Sequence, residues 1–145
     1  MIPTVKFSCN ISNTDYSAEL GLEIYIDNLQ IFNQEWISGP VAFDYDFSDS
    51  DGVHELKFVM KNKTRYHTQC DADGNIVKDA RLVITDFAFD DIKLGQIITS
   101  LAVYQHNFNG TKDMIQDSFY GELGCNGTLT LPFETPVYLW LLENM

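Results

Sequence analysis

The chain has 145 residues, enough for one domain that buries roughly 70% of its unfolded surface without a disulfide or metal staple. A formal net charge of −12 leaves no surplus of Lys and Arg to release counterions from nucleic acid or to hold an anionic membrane. Hydrophobic residues at 45% exclude wholesale disorder, and the ten Phe and seven Tyr among them favour strands.

Val5, Phe7, Cys9 and Ile11 alternate with polar residues, so a half-buried strand opens the chain. Leu20, Leu22, Ile24 and Ile26 repeat the pattern, and Asp27-Asn28 turns it into Leu29–Phe32 as a hairpin. Gly39-Pro40 breaks the chain before Val41, Phe43, Tyr45 and Phe47, between which Asp44 and Asp46 share one face about 7 Å apart. Such a carboxylate pair is a solvated acidic face unless it flanks a scissile bond.

From His54 to Phe89 the chain reads strand, acidic loop, strand. Leu56, Phe58 and Met60 share one face. Leu82 and Ile84 share another, with Val83, Phe87 and Phe89 on the opposite parity. Asp90-Asp91 is a turn. Gln96 to Tyr104 fits a short helix or a strand, and His106 to Gln116 is polar, with Asn109-Gly110 as a turn signal. Leu129, Leu131 and Phe133 alternate once more. After Pro136, Val137 to Leu142 is apolar on both parities, which predicts a strand covered on both faces, one cover being a neighbouring subunit. The expectation is a single all-β domain over residues 1–145, a two-sheet antiparallel sandwich or jelly roll.

Cys9, Cys70 and Cys125 match no metal knuckle and read as free thiols in a reducing cytoplasm. No signal-peptide pattern and no run of 18 apolar residues is present. His54, His67 and His106 fall at no zinc spacing, and no Gly-x-Ser-x-Gly, phosphate loop or dinucleotide fingerprint is found. The expectation is therefore a protein without catalysis.

Two candidate sites remain. Asp71, Asp73 and Asn75 offer oxygens at alternate positions, as a hard cation such as calcium requires, and Asp79 adds a fourth. The other reading of Asp71–Asn75 is a turn built from Asp-Gly and Asn. Tyr66, Tyr104, Tyr120, Trp36 and Trp140 could cover the apolar face of a sugar ring; Tyr66, beside His67 in a polar loop, and Trp36 lead this ligand-binding set.

Residues 21 to 92 resemble the calcium-dependent xylan-binding modules, a β-sandwich family. The carrying residues are Ile24-Tyr25-Ile26-Asp27 before the hairpin, Gly52-Val53-His54-Glu55-Leu56, Asn62, and Asp79-Ala80-Arg81-Leu82. The resemblance implies the sandwich fold, a glycan partner, and Asn62 as a further calcium ligand. It departs at Lys63, where the family has a metal-binding Asp, and at Ala80-Arg81. A lysine ammonium repels calcium and can itself donate to the same carboxylates. No tightly bound calcium is expected, with Lys63 or water satisfying Asp71 and Asp79.

A second resemblance is to small structural proteins of tailed bacteriophages, especially of marine cyanobacteria. Its carrying strings are Asp73–Asp79, Phe119–Gly127 and the terminal Thr135–Met145. It implies a virion component, assembled in the host cytoplasm beside capsid, neck or fibre proteins and open to homo-oligomerisation. A capsid decoration, neck or fibre-associated module is the leading expectation, and a module recognising host surface polysaccharide is the alternative.

Overall fold

The computed structural model describes residues 3–145. In chain order the strands are β1 (Thr4–Asn13), β2 (Gly21–Ile26), β3 (Leu29–Gln34), β4 (Val41–Ser48), β5 (Gly52–Lys61), β6 (Thr68–Cys70), β7 (Ile76–Asp79), β8 (Leu82–Phe89) and β9 (Ile92–Lys93). Helix α1 (Gln96–Leu101) follows, then β10 (Val103–His106), β11 (Ile115–Ser118), β12 (Glu122–Leu123), β13 (Gly127–Thr135) and helix α2 (Val137–Asn144). One sheet runs β12-β8-β1-β4, with β9 also on β8; the other runs β11-β10-β13-β5-β2-β3; β6 and β7 form a separate hairpin. The pairings are antiparallel, and the two main sheets make an all-β sandwich.

Period-two alternation decides which face is inside. Val5, Phe7, Cys9 and Ile11 of β1 meet Leu22 and Ile24 of β2, Leu56 and Phe58 of β5, and Leu129 and Leu131 of β13 in one buried cluster. Phe7 sits at its centre, with ring centroids of Phe58, Phe87 and Phe89 at 6.1, 6.2 and 5.6 Å in tilted arrangements. Turn chemistry sets the hairpin registers. Asp27 and Asn28 between β2 and β3 have φ of 49° and 69°, and Asp90 and Asp91 between β8 and β9 have 48° and 66°, the paired left-handed geometry that matches strand twist.

The parity change within β8 has a local cause. The β1–β8 register shifts between Ser8 and Asn10, opposite Asp86, whose φ is 58°. One extra residue there flips the later side chains, so Leu82 and Ile84 point inward before the bulge and Phe87 and Phe89 after it. The bulge also turns the Asp86 carboxylate outward, to accept from Lys93 Nζ at 2.7 Å and Asn10 Nδ2 at 2.7 Å.

Three sequence expectations change. Residues 137–142 form a helix, not a strand: Val137, Trp140 and Leu141 fall at i, i+3 and i+4 and are buried, while Tyr138, Leu139 and Leu142 are exposed. A short run apolar on both parities satisfies either period, and here the helical one packs Trp140 edge-on against Phe89 and Phe133. Only one face of this segment is therefore covered within the chain. The stretch from Thr64 to Lys78 is not a plain loop but a turn of 3-10 helix at Arg65–His67 followed by the β6–β7 hairpin. The polar stretch after His106 likewise joins β10 to a paired β11, and residues 96–101 take the helical alternative.

Candidate functional site

The cation candidates do not gather at one point. Asp71 closes its own hairpin: its carboxylate accepts from the backbone N–H of Asp73 at 2.9 Å and of Asn75 at 3.0 Å. The Asn75 N–H is the leading reason that the Asp71 carboxyl is held below its ordinary range. Gly74, at φ 83°, supplies the left-handed step of that turn, and Asp73 and Asn75 are exposed. Asn62, at the end of β5, donates its amide to the Glu35 carbonyl at 2.9 Å and to the Glu35 carboxylate at 3.2 Å.

Asp79 lies in a different environment. The Lys63 ammonium donates to Asp79 Oδ1 at 2.6 Å and to the Gly124 carbonyl at 2.5 Å, and the Thr68 hydroxyl donates to the same Oδ1 at 2.7 Å. The Lys63 side chain is 2% exposed. Its backbone is clamped too, for the Lys63 N–H donates to Asn126 Oδ1 and the Asn126 amide donates to the Lys63 carbonyl, both at 2.9 Å. A built-in ammonium thus occupies the position a bound cation would need beside Asp79. Among the described residues no group of three His, Cys, Asp or Glu is placed to hold a metal ion. The five candidate ligands Asp71, Asp73, Asn75, Asp79 and Asn62 do not fit a calcium ion as they stand, because their oxygens are separately engaged or apart.

The first aromatic candidates divide. Tyr66, 75% exposed, and His67 line a small polar cleft of about 210 Å³ with Asp15, Ser17, Gln69 and Lys78. The Arg65 guanidinium lies 5.0 Å from the Tyr66 ring centroid and covers one of its faces. Trp36 is not part of that lining; its indole N–H donates to the Tyr16 carbonyl at 2.9 Å.

A larger concave surface surrounds Tyr120, which is 80% exposed. On one side lies a cleft of about 360 Å³ between β8 and α1, floored by Phe87, Ile98 and Phe119 and edged by Asp86, Lys93 and Thr99. On the other side lies a second cleft, of about 510 Å³, lined by Tyr104, His106, Asp117, Ser118, Glu122 and Cys125. Tyr120 borders both. His106 Nε2 meets Asp117 Oδ2 at 2.9 Å, while its buried Nδ1 has no partner. Its ring is held by Tyr104 at 4.6 Å and edge-on by Phe108 at 4.7 Å. The Tyr104 hydroxyl accepts from the Cys125 N–H at 2.9 Å and donates to the Cys125 carbonyl, and burial pushes both the Tyr104 and Cys125 pKa values up. The cleft wall at Gly124–Cys125 is the segment whose carbonyl Lys63 holds, so the buried lysine props the open surface.

Sequence reading named Tyr120 and Tyr104 only within a wider aromatic set and left out Asp86, Lys93, His106, Asp117 and Glu122. The one local signal was the Phe119-Tyr120-Gly121 string, an aromatic pair running into a glycine at φ 103°.

No protein-family model matches the chain, and no curated protein does. Solved structures do. The selenomethionine form of vCBM60, described with a circular-permutation link between two families of calcium-dependent carbohydrate-binding modules, superposes with a TM-score of 0.53 at 9% identity, over 88% of this chain and 89% of that one. vCBM60 in complex with galactobiose gives a TM-score of 0.50 at 11% identity, over 87% of this chain and 96% of that one. The fold is similar to that of a carbohydrate-binding module. The likeness spans nearly the whole module and not one hairpin alone. At this identity it concerns the backbone arrangement and no individual side chain.

Proposed function

We propose that this chain is a non-catalytic, glycan-recognising β-sandwich carried as a structural component of a tailed-phage particle. The observation that carries the glycan reading is the module-like fold over 88% of the chain. The large clefts beside an exposed tyrosine agree with it. The phage setting is supported by the resemblance of Asp73–Asp79, Phe119–Gly127 and Thr135–Met145 to tailed-phage structural proteins, with assembly in the host cytoplasm and other virion proteins as neighbours.

The non-catalytic reading is supported at a triad-like array near the β2–β3 turn. His54 Nδ1 meets Asp27 Oδ2 at 2.5 Å and its Nε2 meets the Thr135 hydroxyl at 2.9 Å. Thr135 is buried and its hydroxyl donates to the Ser50 carbonyl, so it offers no nucleophile to a substrate. The array instead ties the β2–β3 turn to the ends of β5 and β13. Cys125 lines a cleft, but its raised pKa keeps it a thiol.

A glycan array probed with and without a calcium chelator tests the reading. Binding that survives chelation is the expected result; no binding to any glycan sinks the recognition half. Mass spectrometry and immunogold labelling of purified particles test the virion half, which fails if the chain is absent from them.

The exposed face of α2 favours a second, purely architectural role. Tyr138, Leu139 and Leu142 turn outward from a helix whose other side is core. Leu139→Glu with Leu142→Glu leaves that core side intact. Under this role the double variant folds but is not incorporated into particles.

A further inference from the structure

We infer that the paired clefts around Tyr120 form the ligand site, and that its ligand is a neutral oligosaccharide running across Tyr120 from one cleft to the other. This rests on the glycan reading above and goes further by naming the site and the class of sugar.

Four observations carry it. Tyr120 is 80% exposed although it lies between two hollows, and Gly121 after it stands at φ 103° with open space around its Cα. The axial C–H face of a pyranose covers an exposed aromatic ring of this kind well. The clefts on its two sides differ in character: one has an apolar floor of Phe87, Ile98 and Phe119, the other mixes the polar side chains of His106, Asp117, Ser118 and Glu122 with Tyr104 and Cys125. A sugar chain presents both C–H faces and hydroxyls, and it is long enough to use both. His106 is 5% exposed and its Nδ1 is unpartnered, and Arg81, whose guanidinium donates to Glu122 at 2.7 Å, keeps an unpartnered Nε. Both nitrogen atoms are buried, so the polar groups that the second cleft offers at its surface are those of the His106–Asp117 pair and of Glu122, held by Arg81.

Charge selects among glycans. The clefts carry Asp86, Asp117 and Glu122 against Lys93, which pairs with Asp86 at 2.7 Å, and Arg81 behind Glu122, also at 2.7 Å, so one carboxylate is left in excess. Carboxylates accept from vicinal hydroxyls but repel uronates and sulfates, and the net charge of −12 acts in the same direction at long range. The surface is also in place before a ligand arrives. Lys63 fixes the Gly124 carbonyl, Tyr104 fixes Cys125, and Phe119 is buried directly before Tyr120.

The test is a nuclear magnetic resonance titration of the full chain with xylohexaose, galactobiose and a galacturonic acid trimer, followed by calorimetry of variants. The expected result is a shift of the Ser118–Gly121, Gly124–Cys125 and Gly95–Thr99 amides with at least one neutral probe and none with the acidic trimer. Tyr120→Ala should weaken binding about tenfold or more while leaving the melting curve unchanged, because the ring is exposed. Tyr120→Phe should retain most of the affinity, since the stacking face is kept. Shifts confined to Tyr66, His67 and their neighbours, or a Tyr120→Ala variant that binds as wild type does, would overturn the site and leave the glycan reading standing. Binding of the acidic trimer in preference to the neutral probes would overturn the selection by charge. A wild-type chain that binds none of these probes and no glycan on the array would overturn the reading and the site together.

Discussion

The Lys63–Asp79 pair and the Tyr120 clefts meet at Gly124–Cys125, yet they solve opposite problems. At Lys63 the charged and polar groups are matched inside the protein: ammonium, carboxylate, carbonyl and hydroxyl satisfy one another around a lysine that is 2% exposed, with the Asp79 side chain 26% exposed at the edge. At Tyr120 the ring is left exposed, and the carboxylates that line the hollow beside it, Asp117 and Glu122, are each held by one cationic or imidazole partner, His106 and Arg81. The difference teaches where rigidity is spent. A buried ion pair is a poor source of net stability but is costly to break, so it holds a segment in one place. The neighbouring surface can then keep an exposed ring between two hollows without collapsing.

That comparison can be broken most forcefully at the buried side. Lys63→Ala removes the cation and leaves Asp79 and the Gly124 carbonyl without it, and is expected to cost about 3 kcal/mol in a urea melt. Lys63→Met, which keeps the stem volume but not the charge, sharpens the result. A methionine variant as unstable as the alanine one assigns the loss to the charge pair; one near wild type assigns it to packing. A loss below about 0.5 kcal/mol for Lys63→Ala would mean that the pair holds nothing.

Close behind comes the floor of the second cleft. Gly127 pairs with His106 between β13 and β10, and a Cβ there would stand 2.3 Å from the Gln105 carbonyl oxygen and 2.8 Å from His106 Cβ. Gly127→Ala must push these strands apart at a cost of about 2–3 kcal/mol. It should also displace the His106 and Asp117 resonances more than those of Lys63 and Asp79, which it reaches only through Asn126. Equal disturbance of both regions would show them to be one unit and not two.

A smaller effect separates the two sources of positive charge. Calorimetric titration of wild type with calcium at physiological salt should show no heat, because the Lys63 ammonium already sits on Asp79. Lys63→Asp should create a response. Micromolar affinity in wild type, lost on Asp79→Ala, would mean that the metal displaces the lysine and that the pair is not a lock.

The smallest effect calibrates the buried pair against an exposed one. Asp15 has its carboxyl lowered to about 2 from 3.8, first by the Ser17 hydroxyl and then by Lys78 of the β6–β7 hairpin. A depressed carboxyl stabilises the fold above its unfolded pKa, and that contribution is lost as pH falls through the folded value. The urea midpoint of wild type should therefore exceed that of Asp15→Asn at pH 6, and the gap should close between about pH 4 and pH 2. A gap that is constant down to pH 2 would contradict this assignment. The partner Lys78 is 55% exposed, so the gap should be well below the effect of Lys63→Ala.

Legibility in the sequence followed the physics of each segment. The alternation of Val5, Phe7, Cys9 and Ile11, of Leu56, Phe58 and Met60, and of Leu129, Leu131 and Phe133 named the core correctly, because a half-buried strand cannot hide its period. The double parity of β8 was visible as Leu82 and Ile84 against Phe87 and Phe89, but its cause, a bulge at Asp86, needs the partner strand. Val137–Leu142 misled, because six apolar residues satisfy two periods and only the hollow beside Phe89 and Phe133 selects the helix. Asp71–Asn75 offered the right oxygens for a cation, yet the Asp71 carboxylate is taken up by backbone N–H groups of its own turn.

Sequence alone determined the two-sheet character, the hairpin turns at Asp27-Asn28 and Asp90-Asp91, and the acidic surface, since each depends on residues within a few positions or on a simple sum of charge. Tertiary structure alone decided that Lys63 reaches Asp79 sixteen residues away and Gly124 sixty-one away. It alone set Tyr120 between a cleft from β8 and α1 and a cleft from β10 and β11. A polar side chain buried against a distant strand, and a ring left exposed between distant elements, carry no local period. Their positions follow from the closure of the sandwich, which brings together groups that the chain itself keeps far apart.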